Sequence, residues 1–285
     1  MCHKCGYENK CCKERTCAPT PISKPTTIKK SGCYCLTRDI CGPIIIAHKN
    51  VELDLNCHQV HGKGEQAAIS ATDVNNVTIK NGSVVSTLPG NGVVLTNVKG
   101  FVLDDLAVSD CNRGLWIQDS SIGKVTCCRF YDNTNSDVDE GSAVVSVINS
   151  SCIDFEDVEV CGNTKQLVEF DGREDRDGIV TVVRSNGVNF ENCKSSNNFL
   201  ANDNSNMALY MIAFSSDCLV RNCQANENKT PLDETTFGSA VFGIHLLVSN
   251  NCVVEHFQAC KNKMGVAIFF FGMRLFDSNN CLVSH

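Results

Sequence analysis

The chain has 285 residues, of which 42% are apolar and 20% are charged, as is ordinary for a soluble protein. No apolar run approaches the roughly 18 residues that cross a membrane, so we expect no membrane span. The formal net charge of −7 argues against nucleic acid as a partner, because phosphate binding requires clustered Lys and Arg side chains.

Residues 1–30 are predicted to form a separate N-terminal arm, which is polar and rich in Lys and Cys. Pro19, Pro21 and Pro25 are expected to prevent regular structure at its end. The candidate metal ligands of the arm are its cysteines, namely Cys2, Cys5, Cys11, Cys12 and Cys17. Zinc is one interpretation, although the spacing lacks two well-separated pairs of ligands. Disulfides to a partner chain and a reduced, disordered tail are the alternatives.

The N-terminus contains no apolar signal segment, so we expect synthesis in a reducing cytoplasm, where stacked disulfides are not expected. The sequence nevertheless has 20 cysteines. Several recur at equivalent repeat positions: Cys218, Cys252 and Cys281 in one column, and Cys193 and Cys223 in another. This pattern is typical of small side chains stacked in a core.

A phrase of alternating apolar residues followed by a polar residue recurs along the chain. Its first residues, here called anchors, are Val51, Val77, Phe101, Val125, Ile153, Val188, Cys218, Cys252 and Cys281. Alternation over five residues indicates a β-strand, and recurrence every 24–35 residues indicates a repeat architecture. The fourth residue after each anchor is mostly Asn, Asp or His, which indicates either a ladder of stacked amides or a turn position.

A second strand is predicted before each anchor, and its inward positions are the residues eight and six places upstream. Its positions are apolar in seven of eight repeats, and the exception is the pair Ile117 and Asp119. A short strand cannot bury its face alone, but it can when it stacks on the same strand of the next repeat. The sequence therefore predicts a parallel β-solenoid of about nine coils, spaced about 4.8 Å apart.

Residues 31–40 read SGCYCLTRDI and residues 50–62 read NVELDLNCHQVHG. This opening resembles that of right-handed parallel β-helix proteins of the pectin-lyase-like superfamily, including those of large DNA viruses and bacteria, with Cys57 in place of the usual Gly. The resemblance implies an all-β fold over residues 31–285. We expect residues 31–49 to cap the solenoid, with Ile44–Ile46 as its first strand. The fold hosts lyases, hydrolases, epimerases and non-catalytic viral proteins, so it does not select a function.

Long insertions are predicted after the later anchors, at 131–141, 161–178, 195–207 and 226–238. They leave the same part of the coil and should cluster on one side as a recognition face. Their candidate catalytic residues are Asp137, Asp139, Asp171, Arg173, Asp175 and Asp177. Paired carboxylates suit glycoside hydrolysis, and carboxylates can gather Ca²⁺ beside a lyase arginine. Solvated, self-paired charges are the alternative.

Two function classes follow from the sequence. The first is a structural or binding β-helix, as a virion or surface component with protein partners or self-association. Its assembly contacts would be the arm and the open C-terminal coil, because residues 281–285 lie within an anchor strand. The alternative is a carbohydrate-active lyase or glycosidase that acts on a polysaccharide through the acidic loops. The motifs of the superfamily's polygalacturonases, pectate lyases and alginate epimerases are absent, which disfavours the enzyme.

Overall fold

A computed structural model of the chain describes residues 18–136, 143–166, 178–201, 207–230, 240–263 and 269–284. In these ranges the chain forms strands and turns only. None of the described residues belongs to a helix that could span a membrane.

The strands of the first coils are β1 Thr20–Ile22, β2 Thr26–Ile28, β3 Gly32–Leu36, β4 Ile40–Cys41, β5 Ile44–Ile46, β6 Val51–Asp54, β7 Gln59–Gly62, β8 Ile69–Ser86 and β9 Val93–Ser109. The middle coils contain β10 Leu115–Gln118, β11 Ser121–Thr126, β12 Arg129–Tyr131, β13 Thr134–Asn135, β14 Val145–Ile148, β15 Ser151–Glu156, β16 Glu159–Cys161, β17 Thr164–Gln166, β18 Gly178–Val183, β19 Asn186–Glu191, β20 Lys194–Ser196 and β21 Phe199–Ala201. The last coils contain β22 Met207–Ala213, β23 Leu219–Arg221, β24 Gln224–Asn226, β25 Ala240–Leu247, β26 Val253–Glu255, β27 Phe269–Phe276 and β28 Leu282–Ser284.

Every strand pairs in parallel with its counterpart one coil away, which makes the fold a right-handed parallel β-helix as the sequence predicted. Three faces result. The first face contains β10, β14, β18, β22, β25 and β27, the second contains β11, β15, β19, β23, β26 and β28, and the third contains β12, β16, β20 and β24. β8 and β9 are long because each continues around the bends through all three faces.

The core is the inside of the solenoid, and strand alternation fills it. In β6, Val51 and Leu53 are buried, whereas Glu52 and Asp54 are partly exposed. The same positions stack from coil to coil, as in the rings of Phe155 and Phe190, whose centroids are 4.7 Å apart. Each coil therefore buries its apolar side chains against identical neighbours, as repeat proteins do.

The polar residue that follows each anchor strand occupies a left-handed turn. The φ angle is 57° at Asn81 and Asp105, 56° at Asn192 and 51° at His256. Asn and Asp tolerate this conformation better than other non-glycine residues, which favours the turn interpretation of this column. Stacked amides occur there as well, since Asn222 Nδ2 donates to Asn192 Oδ1 at 3.3 Å.

A buried asparagine ladder, which the sequence analysis did not identify, lies at the turn after the third face. The amide Nδ2 of each member donates to Oδ1 of the next at 2.9–3.0 Å, along Asn133, Asn163, Asn198, Asn228 and Asn262. Each Oδ1 also accepts a hydrogen bond from a backbone N–H one coil earlier, as Asn163 Oδ1 does from the N–H of Asn133. Each Nδ2 also donates to a backbone carbonyl, as Asn163 Nδ2 does to Phe130. The amides of this ladder are thus well satisfied inside the protein.

One anchor was assigned wrongly by two residues. Phe101 pairs with Gly123 and not with Val125, which pairs with Leu103. The error arose because Gly123 occupies the anchor position, which is otherwise held by an apolar side chain in every repeat. A Cβ on this glycine would lie 2.0 Å from Phe101 Cζ, so the Phe101 ring fills its place. With Gly123 as anchor, the upstream pair becomes Leu115 and Ile117, and the exception at Asp119 disappears.

The solenoid begins earlier than predicted, so the assignment of Ile44–Ile46 as its first strand is wrong. β1 pairs with β3, and β2 pairs with β5. The prediction that prolines prevent regular structure is also wrong at Pro21, which lies in β1. An edge strand tolerates proline because one side of its backbone needs no partner. Residues 1–17 lie outside the described part, and the division at residue 30 remains a prediction.

Candidate functional site

The sequence-predicted site residues lie outside the described part of the chain. This holds for Asp137, Asp139, Asp171, Arg173, Asp175 and Asp177, and for Cys2, Cys5, Cys11, Cys12 and Cys17. The described residues that flank the predicted insertions belong to the turn after the third face on one side and to the first face on the other. Lys165, near the start of one insertion, is fully buried, and its Nζ donates to Asn135 Oδ1.

The grooves formed by the described residues include the following two. The larger, here called the lateral groove, has a volume of about 760 Å³ and runs along the outside of the second face. Its rim is the position next to the start of each second-face strand, occupied at successive coils by Gly100, Ile122, Cys152 and Gly187. All four have positive φ angles, and glycine leaves this rim open at two coils.

Ile122 is the unusual member of that rim. Its φ angle is 58° although its side chain is β-branched, and the side chain is 57% exposed. A β-branched residue in this region is a conformational outlier that costs on the order of 1–3 kcal/mol. The lateral groove therefore holds an exposed apolar side chain on a strained backbone.

Charged side chains near the lateral groove have hydrogen-bond partners on neighbouring coils. Lys124 Nζ lies 2.8 Å from Glu156 Oε2, and this hydrogen bond raises the pKa of Lys124. Asn189 Nδ2 donates to Asp154 Oδ1 at 2.8 Å. These pairs leave a mixed polar and apolar surface that suits binding better than acid–base chemistry.

The second groove, here called the corner groove, has a volume of about 560 Å³ and lies where the third face ends. Its lining is Gln59, His61, Val85, Ser86, Thr87, Leu88, Asp110, Asp132 and Thr134. Its oxygen-bearing residues come from successive coils, because the strands before them are paired as Val85 with Ser109 and Ser109 with Tyr131. This groove was not predicted from the sequence, because its lining residues come from separate coils and become neighbours only in the folded chain.

The outer face of the first sheet is buried in the later coils. Ser146, Thr181, Met211 and His245 are all inaccessible to solvent, at positions that point away from the core. His245 lies beside Phe242, with ring centroids 5.1 Å apart, and neither ring nitrogen has a hydrogen-bond partner among the described residues. Burial, with a smaller effect of Arg274, lowers the pKa of His245 to about 4. This imidazole is therefore neutral at physiological pH.

The stacked cysteines are buried thiols, as the sequence predicted. Cys193, Cys218, Cys223 and Cys252 are free and buried, and Cys281 in the last coil is partly exposed. Burial raises the pKa of Cys193 well above its usual range. Two other cysteines, Cys33 and Cys57, are disulfide-bonded, which the sequence analysis did not predict. Cys57 has a φ angle of 62°, a conformation that glycine adopts more readily than other residues.

Among the described residues, no group of three or more His, Cys, Asp or Glu side chains could hold a metal ion. The zinc prediction for the arm and the calcium prediction for the acidic loops concern residues outside the described part. Both remain predictions.

No known family model matches the chain, and no curated protein matches it. Solved structures align with it at low identity. An alginate lyase from Paenibacillus sp. str. FPU-7 aligns with a TM-score of 0.45 and 11% identity, over 87% of this chain and 93% of the lyase. The A-module of the mannuronan C-5 epimerase AlgE4 of Azotobacter vinelandii aligns with a TM-score of 0.41 and 11% identity, over 88% and 87%. ORF18 of Geobacillus virus E2 aligns with a TM-score of 0.39 and 11% identity, over 87% of this chain and 54% of the viral protein.

Proposed function

We propose that the chain is a structural or binding β-helix protein that assembles end to end with a second copy through its last coil. The observation that supports this proposal is the exposure of core positions there. Leu275 is 44% exposed and Val283 is 51% exposed. Their partners one coil earlier, Leu246 and Val254, are buried. A protein gains free energy by covering such apolar surface.

The last described coil also has a strand edge that pairs with no described residue. Within the described residues, β27 pairs only with β25, and β28 pairs only with β26. An open strand edge recruits another strand through main-chain hydrogen bonds. A second copy carries the same edge and the same apolar side chains, so a two-fold contact matches both surfaces. The N-terminal arm is a second proposed contact, and a virion or cell surface is the proposed location.

Light scattering on the full-length chain, under reducing and non-reducing conditions, tests the assembly. We expect a dimer in both conditions, because the contact requires no disulfide. The double variant Leu275→Lys and Val283→Lys should be monomeric, since two charges cannot be buried unpaired at the contact. The control is Val102→Lys, at an exposed apolar residue of the lateral groove. A wild-type monomer, or a double variant that stays dimeric, would contradict the proposal.

The alternative function is a carbohydrate-active lyase or glycosidase that acts through the acidic loops. The observation in its favour is that the described residues on either side of each insertion occupy equivalent positions in successive coils. Replacement of Asp171, Asp175 and Asp177 by Asn, followed by an assay of polysaccharide cleavage, separates the two functions. If the wild-type chain cleaves a polysaccharide and the substituted chain does not, the enzyme function is established.

A further inference from the structure

One of the two cysteine columns inside the solenoid reaches the last described coil. Its members are Cys218, Cys252 and Cys281, each of which lies directly before a paired strand of the second face, β23, β26 or β28. Adjacent parallel strands are about 4.8 Å apart, and a disulfide joins Cα atoms that are about 4.4–6.8 Å apart. Neighbouring thiols of this column are therefore close enough for a covalent bond between coils.

The three sulfur atoms of the column share one orientation. Each Sγ lies 3.3–3.5 Å from the backbone carbonyl two residues earlier, on Ser216, Asn250 and Asn279. Cys281 Sγ also lies 3.5 Å from the carbonyl oxygen of Ser249, which belongs to the same coil as Cys252. The Cys281 sulfur therefore faces the preceding coil, where the Cys252 thiol is its neighbour.

Solvent access distinguishes the last pair of thiols from the rest of the column. Cys281 is partly exposed, and no described strand lies beyond β28. Cys252 is only 1% exposed, and Cys218 is only 2% exposed. An oxidant in solution therefore meets this column at Cys281 first.

Hydrogen bonding within the column makes Cys252 the better nucleophile. A hydrogen bond from the Cys218 thiol, with a smaller contribution from the Cys281 thiol, lowers the pKa of Cys252 to about 7 in spite of its burial. Burial raises the pKa of Cys281. Since the thiolate is the form that attacks another sulfur atom, Cys252 supplies the nucleophile and Cys281 supplies the exposed sulfur.

We propose that Cys252 and Cys281 form an oxidation site at which a hydroperoxide joins the last two described coils by a disulfide. Cys281 Sγ attacks a peroxide oxygen, the O–O bond breaks, and water leaves, so that Cys281 becomes a sulfenic acid. The Cys252 thiolate then attacks Cys281 Sγ, the S–O bond breaks, and the departing hydroxide takes up the proton that Cys252 released. In total, two thiols lose two electrons and two protons, and hydrogen peroxide becomes two water molecules.

The test is peptide mapping by mass spectrometry after the reduced full-length chain has been treated with hydrogen peroxide. We expect a peptide in which Cys252 is linked to Cys281, and a thiol reductant should separate it. Cys193 and Cys223 are an internal control, because they are also one coil apart but are 2% and 0% exposed. Both should stay reduced.

Cys260 is a control of the opposite kind. It is exposed, and its neighbour one coil earlier is Asn226, so no thiol stacks on it among the described residues. Peroxide should convert Cys260 to sulfenic and then sulfinic acid without a link to another described cysteine. Cys260→Ser should leave the rate of the Cys252 to Cys281 link unchanged.

Substitutions separate the roles of the column's members. In Cys252→Ser and Cys252→Ala, Cys281 should reach the sulfinic acid, because no thiolate resolves its sulfenic acid. In Cys281→Ser, oxidation of Cys252 should be at least tenfold slower, because its sulfur is buried. Cys218→Ala should increase the share of sulfinic acid at Cys281 near pH 7, because Cys252 loses the hydrogen bond that lowers its pKa.

The site lies in the coil proposed for assembly but does not depend on that assembly, and dilution separates the two proposals. A second copy that covers Cys281 would shield it, so a link that forms faster on hundredfold dilution supports both. A link that forms at the same rate at every concentration supports the oxidation site and contradicts the assembly. The oxidation site is overturned if wild-type Cys281 stays reduced or reaches sulfinic acid without a link, or if Cys193 and Cys223 become linked as fast.

Discussion

At the scale of single residues, backbone strain at Ile122 makes a direct prediction. Ile122→Asn should raise the free energy of unfolding by about 1 kcal/mol, because Asn tolerates a φ angle of 58° and Ile does not. Urea denaturation measures the change. The control is Val102→Asn, at a neighbouring exposed residue with ordinary strand geometry. It should not stabilise the fold, and a loss of stability in Ile122→Asn would refute the strain argument.

His245 makes the protein sensitive to acid. Its pKa is lowered from 6.5 to about 4 in the fold, so the unfolded chain binds the proton more readily. The contribution of His245 to the free energy of unfolding is fully present above pH 6.5 and is lost as the pH falls toward 4. The difference between the folded and unfolded pKa corresponds to about 3 kcal/mol.

Replacement of His245 tests this contribution. His245→Met should flatten the decline in unfolding free energy between pH 6.5 and pH 4, and Met is suitable because Met211 precedes it in the same column. His256→Met, at an exposed turn, should leave the decline unchanged. An identical decline in wild type and His245→Met would exclude His245 as its cause.

At the scale of structural elements, the asparagine ladder is a cooperative unit. Asn163→Ala should destabilise the fold by about 3–5 kcal/mol, because it leaves the Asn133 donors and the Phe130 carbonyl unpaired in a dry interior. Asn262→Ala should cost about 1 kcal/mol, since Asn262 is half-buried and water can replace it. Thermal denaturation of both variants measures the difference, and equal losses would contradict the role of burial.

The elements were predictable where side-chain pattern alone decides them. Alternating apolar residues predicted the strands and their stacking, because each inward position must be buried in every coil. The pattern failed at Gly123, where the Phe101 ring from another coil fills the space. It also failed at the asparagine ladder, because Asn133 and Asn163 look like ordinary turn residues until their burial is known.

At the scale of the whole molecule, the proposed assembly makes stability depend on concentration. The melting temperature of the wild type should rise with protein concentration, because association stabilises only the folded chain. Calorimetry over a hundredfold dilution range measures this dependence. The double variant Leu275→Lys and Val283→Lys should melt at one temperature throughout. A wild-type melting temperature that does not change with protein concentration would contradict the assembly.

The candidate sites were harder to predict than the fold. The sequence directed attention to acidic insertions, since long loops and clustered carboxylates are visible in one dimension. The corner groove depends instead on register: Ser86, Asp110 and Asp132 become neighbours only when successive coils are aligned.

The asparagine ladder gives the rod an electrical direction. Every side-chain amide from Asn133 to Asn228 donates toward the following coil, so their dipoles point the same way and add, as peptide dipoles do in a helix. The partially positive end of this array is the amide of Asn262. Carboxylates or other acceptors are therefore favoured beyond that end of the rod, and ammonium groups are disfavoured there.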